Sequence, residues 1–173
     1  MPRLTIIAGP NGAGKSTSSK SLLQERGIEA FDFDKEFYNT WRLFDFDPAV
    51  ERGVRESIEE KYLEAKQNAI IHKNDFAFET NYHLPGVLET LADFKEAKFE
   101  TELIFIALLS PDQAIERVKK RVAEKGHSVD KETITERFYS GLKILDQTFE
   151  DYQSFTLNLS LENDFHFKNY HQY

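Results

Sequence analysis

The stretch Gly9-Pro10-Asn11-Gly12-Ala13-Gly14-Lys15-Ser16 follows the apolar run Leu4 to Ala8 and precedes a helical pattern. It matches G-x-x-x-x-G-K-[ST] in full, and it stands between a strand and a helix, as that pattern requires. The glycines permit backbone angles that side chains forbid, so successive N–H groups can turn inward around an anion. The start of the following helix adds partial positive charge. The sequence therefore predicts a phosphate-binding loop.

Three side chains at the end of this loop are predicted to complete a nucleotide site. Lys15 is placed to reach the β- and γ-phosphates, and the Ser16 hydroxyl is placed to bind Mg²⁺. Thr17 is expected beside the α-phosphate. ATP and Mg²⁺ are thus the expected cofactors, and residues 9–17 are the expected ATP contacts.

Beyond the loop, apolar runs alternate with helical patterns, which is typical of an α/β fold with a parallel sheet. Strands are predicted at 4–8, 28–34, 75–80, 99–109, 155–159 and 165–167. Helices are predicted at 15–26, 48–70 and 85–97, with two more that begin at 111 and after 130. Asp47, Ser110 and Asp130 are expected to cap three of them. The predicted fold class is a P-loop NTPase fold, with a parallel sheet of about five strands flanked by helices.

Composition indicates one globular domain over residues 1–173. There is no Cys, which excludes disulfides and thiolate metal sites. The net charge of −8 disfavours nucleic acid as a partner, because proteins that grip its phosphate backbone usually carry basic surfaces. No stretch approaches the ~20 apolar residues of a membrane span. A cytoplasmic protein without a membrane partner is expected.

Acidic residues stand where the second predicted strand should end. These are Asp32 and Asp34, and in open α/β sheets the ligand crevice forms outside the carboxyl ends of the strands. An aspartate there could accept the proton of an attacking hydroxyl, order Mg²⁺ through water, or simply cap the next turn. Because side chains alternate along a strand, only one of the pair is expected to face the site, and Asp34 is preferred.

Glu79 and Thr80 end the third predicted strand after the apolar Phe76 and Phe78. An acid in this position suggests either a Walker B-like role or a contact to a substrate hydroxyl. A solvated or helix-capping glutamate is the ordinary alternative, and the pattern by itself leaves all three open.

Three arginines flank the apolar faces of the last two predicted helices. Arg117 and Arg121 are four residues apart on one helix, and Arg137 lies on the next. A turn at Gly126 could bring all three around the γ-phosphate as a helical lid over about residues 117–131. The planar fork of arginine suits phosphate oxygens, whereas ordinary surface salt bridges are the alternative.

Several further segments accompany the loop over about residues 4–145, most of the chain. They are Asp32-Phe33-Asp34, Phe78-Glu79-Thr80, Glu102 to Ala107, Ala114 to Val118, Arg121-Val122, Gly126 to Val129, Arg137 to Tyr139, and Gly141-Leu142. With Ala8 to Thr17, this set resembles the zeta toxin-like family of P-loop kinases in its short bacterial form. The phosphate loop is common to many families, and the joint occurrence of the other segments is more specific.

The resemblance implies a fold like adenylate kinase or shikimate kinase with a helical lid, and ATP with Mg²⁺ as phosphoryl donor. Better-studied members phosphorylate a hydroxyl of UDP-N-acetylglucosamine and are held off by a small antitoxin protein. By this resemblance Lys15 matches the phosphate-loop lysine, Asp34 the catalytic base and Glu79 the substrate-binding acid. Arg121 and Arg137 match the two phosphate-contacting arginines.

Asp32 and Thr80 join Glu79 as the expected acceptor-binding set, and Arg117 joins the ATP contacts. The expected function is transfer of the γ-phosphate of ATP to a small-molecule hydroxyl, with a UDP-amino sugar as first candidate. Two alternatives stay open: a kinase for another small metabolite, and a non-catalytic ATP-binding regulatory module.

Overall fold

The computed structural model of the protein describes residues 1–83, 86–123, 128–160 and 165–170, the last range by its backbone. The strands are β1 (Arg3–Ala8), β2 (Phe31–Asp32), β3 (Phe76–Thr80), β4 (Glu100–Ala107), β5 (Ser154–Ser160) and β6 (Phe165–Tyr170). They form one sheet in the order β2-β3-β1-β4-β5-β6. The first five are parallel, and β6 runs antiparallel to β5. The predicted parallel sheet of about five strands is therefore confirmed.

Helices lie between the strands of the described residues. They are α1 (Lys15–Leu23), α2 (Phe33–Arg42), α3 (Pro48–His72), α4 (Gly86–Glu96), α5 (Pro111–Ala123) and α6 (Lys131–Thr148). The predicted caps are confirmed, since Asp47, Ser110 and Asp130 each accept a side-chain hydrogen bond from a backbone N–H at the helix start. Pro85 and the Gly126 turn lie outside the described residues. Within the described part, no helix is both long and apolar enough to cross a bilayer.

The segment after α1 departs from the prediction. A strand was expected over 28–34, but β2 covers only two residues and α2 begins at Phe33. The Asp32 side chain accepts a hydrogen bond from Lys35 N over 3.0 Å, and this N-cap starts the helix. The apolar and polar residues of Phe31-Asp32-Phe33-Asp34 alternate as they would in a strand, although the second half of this segment is helical. Asp34 lies in the first turn of α2, so the alternation argument for choosing between the two aspartates was wrong.

The core is built on both faces of β1. Leu4, Ile6 and Ala8 are fully buried in one apolar cluster, and Ile7 is buried in another on the opposite side. Burial on both faces is typical of a central parallel strand. Each large side chain stabilises the fold by roughly 1.5–3 kcal/mol when buried. The strand that leads into the phosphate loop is therefore a rigid base for it.

The carboxyl ends of β1, β2 and β3 meet at one edge of the sheet. The register places Ala8 opposite Thr80, and Asp32 opposite Glu79. Beyond β1, Gly9 N donates a hydrogen bond to Thr80 O over 3.2 Å. This edge therefore brings the phosphate loop together with the acids that the sequence singled out.

Candidate active site

The loop from Gly9 to Ser16 has the backbone that its glycines were expected to allow. Gly9, Gly12 and Gly14 have φ angles of 148°, 77° and 92°, which other residues rarely adopt. A Cβ atom on Gly9 would also lie 2.3 Å from Ile106 O on β4. No side chain fits there, so the loop passes directly over the end of the neighbouring strand before it enters α1.

The Lys15 ammonium is held by three acceptors. Its Nζ donates to Gly9 O over 2.9 Å, to Pro10 O over 3.2 Å and to Asn81 Oδ1 over 2.9 Å. Burial lowers the pKa of Lys15, and the nearby carboxylates, that of Asp34 foremost, act in the opposite direction. The lysine is thus placed inside the site among acids, as the loop pattern predicts.

Ser16 and Ser19 place two hydroxyls against the carboxylate of Glu79. The Ser16 Oγ atom lies 2.7 Å from Glu79 Oε2 and 2.9 Å from Asp32 Oδ2, and Ser19 Oγ donates to Glu79 Oε1 over 2.6 Å. Glu79 is only 8% exposed, and burial raises its pKa. Two acids therefore face one hydroxyl, an arrangement that favours a cation.

Two adjoining cavities of about 460 and 390 Å³ open at this edge of the sheet. The smaller is lined by the phosphate loop, and the larger lies between α3, α4 and the end of β3. They share four side chains, those of Lys15, Asp32, Asp34 and Glu79. Every acid that the sequence placed at the site therefore lies between the cavities.

The larger cavity has an aromatic wall and a charged rim. Its wall includes the rings of Phe31, Phe33, Tyr62 and Phe78, and its rim includes the side chains of Arg55, Glu59 and Arg137. Arg55 is held in place because its guanidinium lies 4.3 Å from the centre of the Phe37 ring and donates to Glu51 over 3.0 Å. The cavity can therefore hold a ring and a polar or anionic group at once.

His83 lines the larger cavity as well, although no sequence motif pointed to it. Its Nδ1 atom is buried and has no hydrogen-bond partner among the described residues. Burial lowers the pKa of His83, and the positive charge of Arg137 lowers it further. The ring is therefore neutral at neutral pH, and its buried Nδ1 atom is available for a hydrogen bond with a ligand.

The three predicted arginines are divided between the cavities. Arg117 and Arg121 line the smaller one, and Arg137 lines the larger. Arg117 donates to Gly12 O over 3.4 Å and to the Ser160 hydroxyl over 2.7 Å, so it joins the loop to the end of β5. The expected approach of all three to one phosphate is not seen in this conformation, and residues 124–127 of the predicted lid lie outside the described residues.

The two aspartates at the site are engaged differently. Asp32 caps α2 and contacts the Ser16 hydroxyl. Within the described part of the chain, the Asp34 carboxylate has no hydrogen-bond or ion-pair partner. Thr80 is committed to the turn after β3, because its Oγ1 accepts a hydrogen bond from Tyr82 N over 3.0 Å. Asp34 is therefore the acid with free acceptor capacity at the wall between the cavities.

The described residues contain no cluster of three or more His, Cys, Asp or Glu side chains that could hold a metal ion by themselves. A metal at this site would need the Ser16 hydroxyl and oxygens from a ligand, which is how Mg²⁺ is commonly held. The donor set of Ser16, Asp32 and Glu79 consists of hard oxygen atoms and fits that ion.

The family model described as Zeta toxin matches residues 1–160. The chain belongs to the zeta toxin family. The resemblance read from the sequence is therefore confirmed over most of the chain. No curated protein matches the sequence.

Solved structures with the same fold include one from the PezAT toxin-antitoxin system of Streptococcus pneumoniae, with TM-score 0.63, 14% identity, and coverage of 92% of this chain and 68% of that one. A deoxyadenosine kinase from M. mycoides with bound dATP gives TM-score 0.51 and 18% identity, with 90% and 89% covered. An AvrRxo1-ORF1:-ORF2 complex with ATP gives TM-score 0.66 and 10% identity, with 96% and 57% covered. The fold of this zeta toxin family member is therefore that of P-loop kinases.

Proposed function

We propose that the protein is an ATP-dependent kinase that transfers the γ-phosphate of ATP to a hydroxyl of a small molecule. The observation that supports this most directly is the wall between the two cavities. A donor in the smaller cavity and an acceptor in the larger would meet at Lys15, Asp32, Asp34 and Glu79. A module that only binds nucleotide needs no second cavity beside its phosphate loop.

The smaller cavity is the donor site in this proposal. The loop N–H groups and the start of α1 receive the phosphates, and Lys15 neutralises charge on the β- and γ-phosphates. Ser16, Asp32 and Glu79 would hold Mg²⁺, which when bound neutralises charge that develops on the phosphate oxygens. Arg117 and Arg121 line the same cavity and suit the remaining oxygens.

Asp34 is the proposed general base. Its carboxylate takes the proton of the acceptor hydroxyl while that oxygen forms a bond to the γ-phosphorus. The bond from the γ-phosphorus to the β–γ bridging oxygen breaks, and ADP leaves with the electron pair. Arg121 from the smaller cavity and Arg137 from the larger approach the transferred group, and their positive charges stabilise the negative charge on its oxygens.

The proposed acceptor is a soluble hydroxyl compound, and a UDP-amino sugar is the first to test. Better-studied zeta toxins use such a sugar, and the larger cavity offers what it would need. The aromatic wall can pack against a planar base, and Arg55 can meet an anionic group. Thr80 and Glu79 lie at the end where the sugar hydroxyl would react. A kinase for another small metabolite would use the same machinery.

A small antitoxin protein is a proposed partner of this family member. The structure from the PezAT toxin-antitoxin system has the same fold, and its likeness covers 92% of this chain. Co-expression with the product of a neighbouring short reading frame, followed by size-exclusion chromatography, tests this. A single peak that contains both chains supports the partner, and separate elution argues against it.

The proposed activity is tested with ATP labelled on its γ-phosphate. The panel is UDP-N-acetylglucosamine, other nucleotide sugars, free sugars, nucleosides and water alone. Label on the UDP-sugar supports the full proposal, and label on another compound supports the kinase but changes the acceptor. Phosphate release at one rate, whatever is added, would favour an ATPase or a nucleotide-binding regulatory module. The same assay is run on Asp34→Asn, and the exposed Asp112→Asn is its matched control.

A further inference from the structure

The bond between Lys15 and Asn81 joins the phosphate loop to the segment after β3. An ammonium has three protons, and here all three are used by Gly9 O, Pro10 O and Asn81 Oδ1. Asn81 is only 7% exposed, so its amide oxygen has little access to water. Removing the lysine from this oxygen would leave a buried acceptor without a donor, which is unfavourable.

The backbone around Asn81 is fixed on both sides. Tyr82 has a φ of 60°, donates its N–H to Thr80 Oγ1, and its hydroxyl is hydrogen-bonded to Thr148 and Tyr152 over 2.9 Å each. On α6, a Cβ atom at Gly141 would lie only 2.9 Å from Asn81 O. Rotation of the side chain is therefore the freedom that remains to Asn81.

Asn81 lines the larger cavity but not the smaller, whereas Lys15 lines both. Resting on the proposed function, we propose that Asn81 couples the two sites. It holds the Lys15 ammonium while the nucleotide site is empty, and it turns its amide to the acceptor hydroxyl when Lys15 moves to the phosphates. Nucleotide then binds first, and its binding completes the acceptor site.

The exchange follows from the strength of the competing acceptors. Hydrogen bonds to charged phosphate oxygens are stronger than those to a neutral amide oxygen, so the ammonium prefers the phosphates once they arrive. The amide oxygen that is given up belongs to a buried side chain that lines the larger cavity. An incoming hydroxyl satisfies it, which raises the affinity for the acceptor only after a di- or triphosphate has bound.

The side-chain amide of Asn81 gives a direct readout by NMR on the wild-type protein with Mg²⁺. AMP-PNP and ADP should shift this amide signal, whereas AMP, which lacks the β- and γ-phosphates, should leave it in place. The amide of Asn74, which is exposed and outside both cavities, is the control. In Lys15→Ala, AMP-PNP should shift the Asn81 amide signal no further than AMP does.

Calorimetry on Asn81→Ala gives a second, independent measurement. Without the bond that must be given up, AMP-PNP should bind about 2- to 10-fold more tightly, and AMP should bind as before. Equal or weaker AMP-PNP binding in the variant, or an Asn81 signal that stays still when AMP-PNP binds the wild type, would overturn the coupling alone. No AMP-PNP binding to the wild type would overturn the proposed function with it.

Discussion

The Ser16 hydroxyl lies 2.7 Å from the Glu79 carboxylate, so the end of β3 is directly behind the first turn of α1. The pattern left Glu79 open to a Walker B-like role or a contact to the acceptor, and the family resemblance favoured the acceptor, but its carboxylate contacts Ser16, the residue expected to bind Mg²⁺. Glu79 lines both cavities, so its position fits a contact to the acceptor or to Mg²⁺. Its hydrogen bond with Ser16 favours the contact to Mg²⁺.

Glu79→Gln should stabilise the nucleotide-free protein at neutral pH and weaken its Mg²⁺-dependent ATP binding. Burial raises the pKa of Glu79 above its ordinary value of 4.5, so ionisation at higher pH opposes folding. The gain in Tm should thus be present at pH 7 and should shrink as the pH falls towards 4.5. Thermal melts with and without Mg²⁺ and ATP measure both effects. Equal gains for the exposed Glu96→Gln would contradict the buried-charge explanation.

Lys15→Ala should abolish transfer and weaken ATP binding about 10- to 100-fold, because hydrogen bonds to charged groups contribute about 1.5–3 kcal/mol. Lys20→Ala, one turn further along α1 and exposed, is the control and should bind normally. Calorimetry with ATP and AMP separates the phosphate contribution. A Lys15 variant that binds and transfers normally would mean that the loop does not hold a triphosphate.

The loop and the sheet could be predicted because their sequence patterns are local. Glycine positions, apolar strands and helix caps can each be recognised within a few residues of sequence. The α2 helix was missed because Phe31 to Asp34 alternates like a strand, while the Asp32 cap decides the outcome. A search for polar residues directly after β3 would have found Asn81 and His83, by the same rule that selected Glu79.

The positions of the arginines depend on how α5 and α6 pack, which no local pattern contains. Arg117 bonds to Ser160 at a separation of 43 residues, and Arg137 faces a different cavity. The wall formed by α3 was also not predicted, because its Arg55, Glu59 and Tyr62 look like an ordinary helix surface in sequence. Long-range packing therefore supplies most of the wall of the larger cavity.

Asp34→Asn should cut phosphoryl transfer about 10²- to 10⁴-fold and leave ATP affinity nearly unchanged. The amide keeps the size of the side chain but cannot accept the proton. Asp32→Asn should behave differently. Asparagine also caps helices well, so α2 should be kept, but its neutral amide should contribute less than a carboxylate to the Mg²⁺ site beside Ser16. It should weaken Mg²⁺-ATP binding more than it slows transfer. Steady-state kinetics with calorimetry on both variants measure this, and a reversal of the two patterns would assign the base to Asp32.

His83→Gln should make the protein less sensitive to mild acid. Burial and the charge of Arg137 lower the pKa of His83, although Asp34 and Glu136 act against this. The unfolded chain therefore takes up the proton first as the pH falls through 6.5, and the wild type loses stability there. Urea melts at pH 7.5 and 5.5 should show a smaller loss in His83→Gln. The exposed His72→Gln should keep the wild-type loss, and an unchanged slope in His83→Gln would contradict a buried neutral ring.

Arg121→Ala and Arg137→Ala should each lower kcat, since arginines that meet the charge of a phosphoryl transition state contribute ~10³–10⁵ in rate. Their different cavities predict different secondary effects: Arg121→Ala should also raise KM for ATP, and Arg137→Ala should raise KM for the acceptor. Lysine at either position restores the charge but not the planar fork, so recovery should be partial. Arg42→Ala, at the exposed end of α2, is the control. If Arg137→Ala changes only KM for the acceptor, Arg137 binds the acceptor in the ground state and has no part in the transfer step.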